Sequence, residues 1–142
     1  MTKILSKSED DTIAAARQLA QKLTAPKIIL LNGNLGMGKT VFARALIRSL
    51  CNNPNLEVVS PTFTLVQTYD TDTTTIYHYD LYRIEEPDEI LELGWEDSLY
   101  DGITIVEWPE RLGAYKPSEY LDITLSNSDN SDSTRQIKIQ QV

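Results

Sequence analysis

Residues 27–40 of this chain are KIILLNGNLGMGKT, and this stretch predicts the fold. Lys27 to Leu31 form a short apolar run, which is typical of a strand buried on both faces. Residues 33–40 match the pattern G-x-x-x-x-G-K-T at every fixed position. Residues 39–50 then have the pattern of a helix. A strand, a glycine-rich loop and a helix in this order indicate a phosphate-binding P-loop.

The residue types in this loop each serve phosphate binding. Glycines allow the backbone to curl so that several N–H groups point at phosphate oxygens, and the helix adds the positive end of its dipole. We expect Lys39 to reach the β- and γ-phosphates of ATP and the Thr40 hydroxyl to bind Mg²⁺. The candidate nucleotide-binding residues in this stretch are Gly33, Asn34, Leu35, Gly36, Met37, Gly38, Lys39, Thr40 and Val41.

A P-loop site also needs an acidic residue that completes the Mg²⁺ shell, usually at the end of a neighbouring strand. Asp80 ends an alternating run that is typical of a half-exposed strand. Glu107 ends residues 103–106, which are nearly all apolar and suit a central strand beside the P-loop strand. We therefore predict Glu107 as the metal ligand and leave Asp80 to orient a water or contact the γ-phosphate side. His78 shares a strand face with Asp80, but a lone strand histidine is more often structural.

Two further features have both a functional and a structural interpretation. The hydroxyl-rich segment 60–64 could sense the γ-phosphate through Thr62, in the manner of a switch loop, or could be only a proline turn. Trp108 follows Glu107 and is expected on the opposite face, where a tryptophan more often belongs to the core than to a ligand platform.

The remaining periodicity predicts the rest of the architecture. Further elements are expected at 9–23 (helix), 64–69 with 74–80 (hairpin), 87–93 (short helix), 95–100 (helical turn) and 121–125 with 136–139 (hairpin with one face in water). Together they predict a single P-loop ATPase domain over residues 1–142. Its fold class is α/β, a three-layer P-loop NTPase-like fold with a mixed, mainly parallel central sheet and antiparallel hairpins.

Composition narrows the function classes. The 142 residues include 21 acidic and 13 basic side chains, a net charge of −8, so tight binding to DNA or RNA by this chain alone is not expected. There is no apolar run of the ~20 residues that a membrane helix needs and no secretory signal at the start, which predicts a cytoplasmic protein. The single cysteine, Cys51, excludes an internal disulfide.

Four motifs occur in one order along the chain. They are GNLGMGKT at 33–40, SPTFT at 60–64, HYDLYR at 78–83 and VEWPE at 106–110. Together they resemble the TsaE family, formerly YjeE, the small bacterial ATPases of tRNA threonylcarbamoyladenosine synthesis. The resemblance extends over nearly the whole chain, and the combination is far more specific than the P-loop alone.

The resemblance implies roles for individual positions. The matching residues would bind the phosphates (Lys39 and its loop), bind Mg²⁺ (Thr40 and Glu107), support catalysis (Asp80, Lys39 and Trp108) and lie beside the adenine (the segment from Glu9 to Thr12).

It also implies the partners TsaD, which transfers the threonylcarbamoyl group, and TsaB, its scaffold. Their target would be the adenosine 3′ of the anticodon in tRNAs that read codons beginning with A. TsaE would not perform the transfer; its ATP turnover would reset the complex.

Two rival functions share the P-loop. A small-molecule kinase would need arginines that clamp the transferred phosphate, whereas Arg83 and Arg111 are isolated in the sequence. A nucleotide-gated binding module would hold ATP without significant turnover. For the ATPase we expect slow hydrolysis by the chain alone and stimulation by its partners.

Overall fold

The computed structural model describes residues 1–34, 36–128 and 131–142, without the side chains of residues 131 and 132. Helices and strands alternate along most of the chain. The elements are β1 (Thr2–Ser6), α1 (Glu9–Ala20), β2 (Lys27–Asn32), α2 (Lys39–Leu50), β3 (Val66–Asp70), β4 (Thr75–Asp80), a first 3₁₀ helix (Pro87–Leu93), α3 (Trp95–Asp101), β5 (Ile103–Glu107), a second 3₁₀ helix (Pro109–Tyr115), β6 (Leu121–Ser128) and β7 (Ser131–Gln141).

The strands form one sheet in the order β1-β7-β6-β2-β5-β4-β3. The four central strands, β6, β2, β5 and β4, are parallel to one another. Both edges are antiparallel, since β3 pairs with β4, β7 with β6 and β1 with β7. The mixed sheet with a parallel centre and flanking hairpins confirms the predicted fold class.

Helices cover both faces of the sheet and give three layers. Successive strand side chains point to opposite faces. Ile29 and Leu31 of β2 therefore pack with Phe42 under α1 and α2, while Leu30 packs with Trp95 under the 3₁₀ helices and α3. All five side chains are almost completely buried. This burial on both faces explains why β2 is a continuous apolar run.

Local signals position the two helices on the P-loop face. The Ser8 side chain caps α1 by accepting a hydrogen bond from the Asp11 N–H, and three acidic residues occupy the first turn. Helix α2 has no side-chain cap; it begins after Gly38, whose φ of 100° lies in the left-handed region. The start of α2 thus leaves its first N–H groups without a capping side chain.

The structure differs from the sequence prediction in several places. Helix α1 ends at Ala20, three residues before the predicted end. Strand β1 and the second 3₁₀ helix were not predicted, and the C-terminal strands are longer than expected. The prediction that buried and exposed residues alternate along β4 is wrong. Strand β4 lies between β3 and β5, and its last three residues are all buried. In the described residues, no helix is both long and apolar enough to span a membrane.

Candidate nucleotide-binding site

The glycine loop connects the end of β2 to the start of α2. Gly33, Gly36 and Gly38 have φ values of 149°, 82° and 100°, all in the range that favours glycine. Gly33 also lies against β6, where an added Cβ would come within 2.7 Å of the Leu125 carbonyl oxygen. The loop therefore needs glycine at this position for two separate reasons. Leu35, a predicted member of the site, lies outside the described residues.

Lys39, the first residue of α2, is buried with 6% of its surface exposed. Its Nζ lies 3.7 Å from the centroid of the Trp108 ring, in a cation–π contact. Burial lowers the pKa of the Lys39 ammonium, and the negative charges of Glu107, Glu110 and Asp80 oppose that shift. The structure thus brings together the lysine, the tryptophan and both acids that the sequence selected.

The two candidate acids are neighbours at the carboxyl edge of the parallel strands. Asp80 ends β4 and pairs with Glu107 at the end of β5, and Glu107 also pairs with Leu31 of β2. Glu107 thus ends the strand next to the P-loop strand, as the sequence predicted. The predicted difference in exposure between the strands of the two acids is nevertheless wrong. Both acids are buried, with 7% of the Asp80 surface and 6% of the Glu107 surface exposed.

Asp80 is held by the segment that follows α2. Its Oδ2 accepts a hydrogen bond from the Thr62 hydroxyl at 3.3 Å, and its Oδ1 accepts one from the Tyr82 N–H at 3.0 Å. The Asp80 N–H donates to the carbonyl of Leu65, which has a φ of 71°. The predicted switch-like residue Thr62 is therefore connected directly to the carboxylate at the end of β4.

Glu107 makes its side-chain contact with His78. The His78 Nε2 and the Glu107 Oε2 are 2.7 Å apart, and both residues are buried. The Nδ1 atom of His78 is buried and has no hydrogen-bond partner within the described residues. Such an unsatisfied polar atom lowers the stability of the folded state by about 1–3 kcal/mol. Sequence reasoning had favoured a structural role for His78, since only the sheet register shows that it meets Glu107.

Trp108 packs in the core and also contacts the P-loop lysine. It packs against the apolar cluster under the 3₁₀ helices and α3, as expected for the face opposite Glu107. Its φ of 59° interrupts the strand geometry, and its ring also covers Lys39 and packs on Tyr82 at 4.9 Å between centroids. Left-handed backbone at a bulky residue is strained and is concentrated at functional sites. No local sequence pattern indicated this conformation.

A cleft on the α1 side of the loop has a volume of about 240 Å³. Glu9, predicted to lie near the adenine, is in its wall. Arg135 of β7 also lines it, and its Nη2 donates to the Gly36 carbonyl at 3.4 Å. Arg135 was missed, because only the pairing of β7 with β1 and β6 brings it here. The lining residues are Ser6, Ser8, Glu9, Thr12, Gly36, Met37, Gly38, Val41, Ser133 and Arg135.

A second cleft, of about 490 Å³, opens on the other side of the loop. Asn34 of the loop and Trp108 are in its wall, together with residues 124–127 of β6. The described part of the glycine turn thus has open space on each side, and both acids lie near Lys39 at its end. This arrangement suits an elongated anionic ligand whose phosphates occupy the turn.

The burial of Lys39 predicts a stability effect that depends on pH. The Lys39→Met variant should be at least as stable as the native chain at pH 7, because desolvation of the ammonium outweighs its attraction to the acids. A lowered pKa means that Lys39 binds more protons in the unfolded state, so the native chain should gain stability relative to the Lys39→Met variant as the pH rises toward 10.5, the ordinary value for lysine. Urea unfolding at several pH values would measure this. A variant less stable than the native chain at pH 7 would contradict it.

Comparison with known proteins identifies the family of the chain. The sequence model of the family described as "Threonylcarbamoyl adenosine biosynthesis protein TsaE" matches residues 6–137. A tRNA threonylcarbamoyladenosine biosynthesis protein TsaE from Rickettsia conorii is 44% identical over 87% of this chain and 70% of its own length. The protein of that name from Nostoc is 40% identical over 98% and 85%. The crystal structure of Bacillus subtilis YdiB superposes with a TM-score of 0.79 at 26% identity, covering 99% of this chain and 85% of that one. The chain therefore belongs to the TsaE family.

Proposed function

We propose that residues 1–142 act as one ATPase domain that binds and hydrolyses Mg-ATP during the formation of threonylcarbamoyladenosine in tRNA. The chain would work with TsaD and TsaB on tRNAs that read codons beginning with A, without transferring the threonylcarbamoyl group itself. One observation carries the proposal. A buried lysine lies at the start of a helix, behind a glycine loop, with two strand-end carboxylates beside it.

The phosphates would bind where the loop meets α2. The N-terminal N–H groups of α2 and the positive end of its dipole favour an anion. Lys39 Nζ would exchange its contact with the Trp108 ring for phosphate oxygens, a stronger charge-assisted interaction. The adenosine would occupy the cleft beside Glu9, where Arg135 borders the loop.

The side chains near Lys39 fit a magnesium ion. Mg²⁺ in nucleotide sites takes one or two carboxylates together with phosphate and water oxygens, rather than a cage made only of protein ligands. Thr40 follows Lys39 at the start of α2, and the Glu107 carboxylate interacts with Lys39. These two residues would hold the ion, which neutralises charge that develops on the β- and γ-phosphate oxygens.

Asp80 would orient the attacking water. Hydrogen bonds from Thr62 and from the Tyr82 N–H restrict its carboxylate, and positioned carboxylates of this kind serve as general bases. Because Thr62 belongs to the turn before β3, nucleotide contacts there would alter a segment that also carries the exposed side chain of Phe63. That segment would transmit the state of the nucleotide to a partner.

The arginine positions favour this ATPase over a self-contained kinase. The Arg83 guanidinium lies 4.4 Å from the centroid of the Phe63 ring, and its side chain is exposed. Arg44 and Arg48 line a cleft between α1 and α2, which shares Glu9 and Val41 with the cleft beside the loop. A phosphoryl-transfer site needs positive charge at the γ-phosphate. We infer that part of this charge comes from a partner. A binding module without turnover stays the alternative that an assay must separate.

Substitutions of the two acids should have different effects, one on Mg-ATP binding and the other on turnover. Glu107→Gln should weaken Mg²⁺-dependent ATP affinity by at least about 10–100-fold, the scale seen when an outer-shell partner of a metal ligand is removed, and leave metal-free affinity nearly unchanged. Asp80→Asn should keep Mg-ATP binding and lower turnover by about 10²–10⁴-fold, as for loss of a general base. Calorimetry and phosphate release measure the two effects, and the isosteric substitutions control for shape. The opposite pattern would mean that the two roles are exchanged.

Turnover should depend on partners. The isolated chain should release phosphate slowly, and addition of TsaD with TsaB should accelerate release, since an arginine supplied in trans can contribute about 10³–10⁵-fold. The Lys39→Met variant, assayed in parallel, should stay inactive in both conditions and so exclude a contaminating ATPase. Fast hydrolysis without partners would contradict the accessory role. Tight ATP binding with no turnover even with partners would favour the binding module.

A further inference from the structure

His78 and Glu107 meet across two parallel strands. His78 of β4 pairs with Ile105 of β5, so Glu107, two residues further along β5, lies on the same face of the sheet. The 2.7 Å contact between His78 Nε2 and Glu107 Oε2 is buried, with 3% and 6% of the two residues exposed. The sheet register, rather than flexible loops, therefore sets this contact.

The hydrogen bond to Glu107 is a contribution of the His78 imidazole that an apolar side chain could not make. The Glu107 carboxylate accepts, so the His78 Nε2 carries the hydrogen that it donates. Nδ1 has no hydrogen-bond partner within the described residues. An apolar side chain of similar size would fill the same space without leaving a buried nitrogen unsatisfied. Packing alone thus gives no reason for histidine at this position.

The alternative partner of Glu107 is the P-loop lysine. The two charges attract each other, yet Lys39 and Glu107 form no ion pair within the described residues. Instead His78 engages Oε2, while Oε1 makes no hydrogen bond in the same part of the chain. A Glu107 side chain without its histidine could turn toward the ammonium. That ion pair would remove a metal ligand.

We propose that His78 is a positioning residue that holds Glu107 away from Lys39 and directs its free oxygen to the magnesium ion of the bound nucleotide. This inference rests on the proposed function, since it assigns Glu107 to the metal. It predicts that the histidine contributes to binding only when Mg²⁺ is present. Outer-shell partners of metal ligands have this effect in other sites.

Three substitutions separate the hydrogen bond from packing. In His78→Gln the side-chain amide nitrogen can take the place of Nε2 and donate to Glu107. In His78→Asn the amide is too short to reach that position, although the residue stays polar. His78→Leu fills the space without a donor. Thermal unfolding shows which variants fold, and the pair of Gln and Asn variants suffices if the Leu variant does not.

The test is the affinity for a non-hydrolysable ATP analogue, measured by calorimetry with Mg²⁺ and with EDTA. The ratio of the two affinities should fall by about 10–100-fold in His78→Asn and His78→Leu and recover most of its native value in His78→Gln. The affinity in EDTA should be unchanged in all three. In a Glu107→Gln background, His78→Leu should cause no further loss, because both changes remove one coupled unit.

Different failures have different meanings. If the native chain shows no Mg²⁺-dependent affinity, the metal assignment in the proposed function is wrong and this inference falls with it. If the native chain depends on Mg²⁺ but His78→Asn and His78→Leu keep the native ratio, only the role of His78 is overturned. A loss of affinity that is equal with Mg²⁺ and with EDTA, or a His78→Gln variant as weak as His78→Asn, would also overturn it.

Discussion

The Lys39 ammonium is almost completely buried. A buried charge loses its hydration, and interactions with the surrounding groups must offset that loss. Its compensation comes from the Trp108 ring and from the charges of Glu107, Glu110 and Asp80. The net lowering of its pKa shows that this compensation is incomplete. An incoming phosphate would supply the missing negative charge. Lys39 is thus a cation whose burial is only partly offset in the folded chain, which supports the proposal that the site takes an anion.

The parallel centre of the sheet provides the rigid frame around this lysine. Strands β4, β5 and β2 end at the same edge, and their register places Asp80, Glu107 and Leu31 side by side. Apolar clusters on both faces fix the strands, and the glycine loop begins where β2 ends. Each acid then acquires a different partner. Thr62 and the Tyr82 N–H hold Asp80, whereas His78 holds Glu107. Two similar carboxylates at one edge therefore have different hydrogen-bond partners, which supports the two roles proposed for them.

Much of this arrangement could be predicted from local patterns. The apolar run at 27–31, the spacing of the glycines and the apolar strand before Glu107 each depend on neighbouring residues, and the elements that they predict are present. The contacts that could not be predicted depend on long-range register. His78 meets Glu107 across 29 residues of sequence, and Arg135 reaches Gly36 across 99.

Local reasoning also failed where tertiary packing changed the expected exposure or backbone geometry. Asp80 is buried because β3 and β5 flank β4, and Trp108 adopts a left-handed conformation that no local motif signals. Neither property can be read from the few residues around it. Both residues nevertheless belong to the candidate site, as the family resemblance had implied.

The most direct test of the central claim is a crystal structure of the chain with Mg²⁺ and a non-hydrolysable ATP analogue. We expect a triphosphate on the backbone of residues 33–40, with Lys39 Nζ moved from the Trp108 ring to phosphate oxygens. A nucleotide bound elsewhere, or a Lys39 side chain still under Trp108 and without phosphate contact, would contradict it.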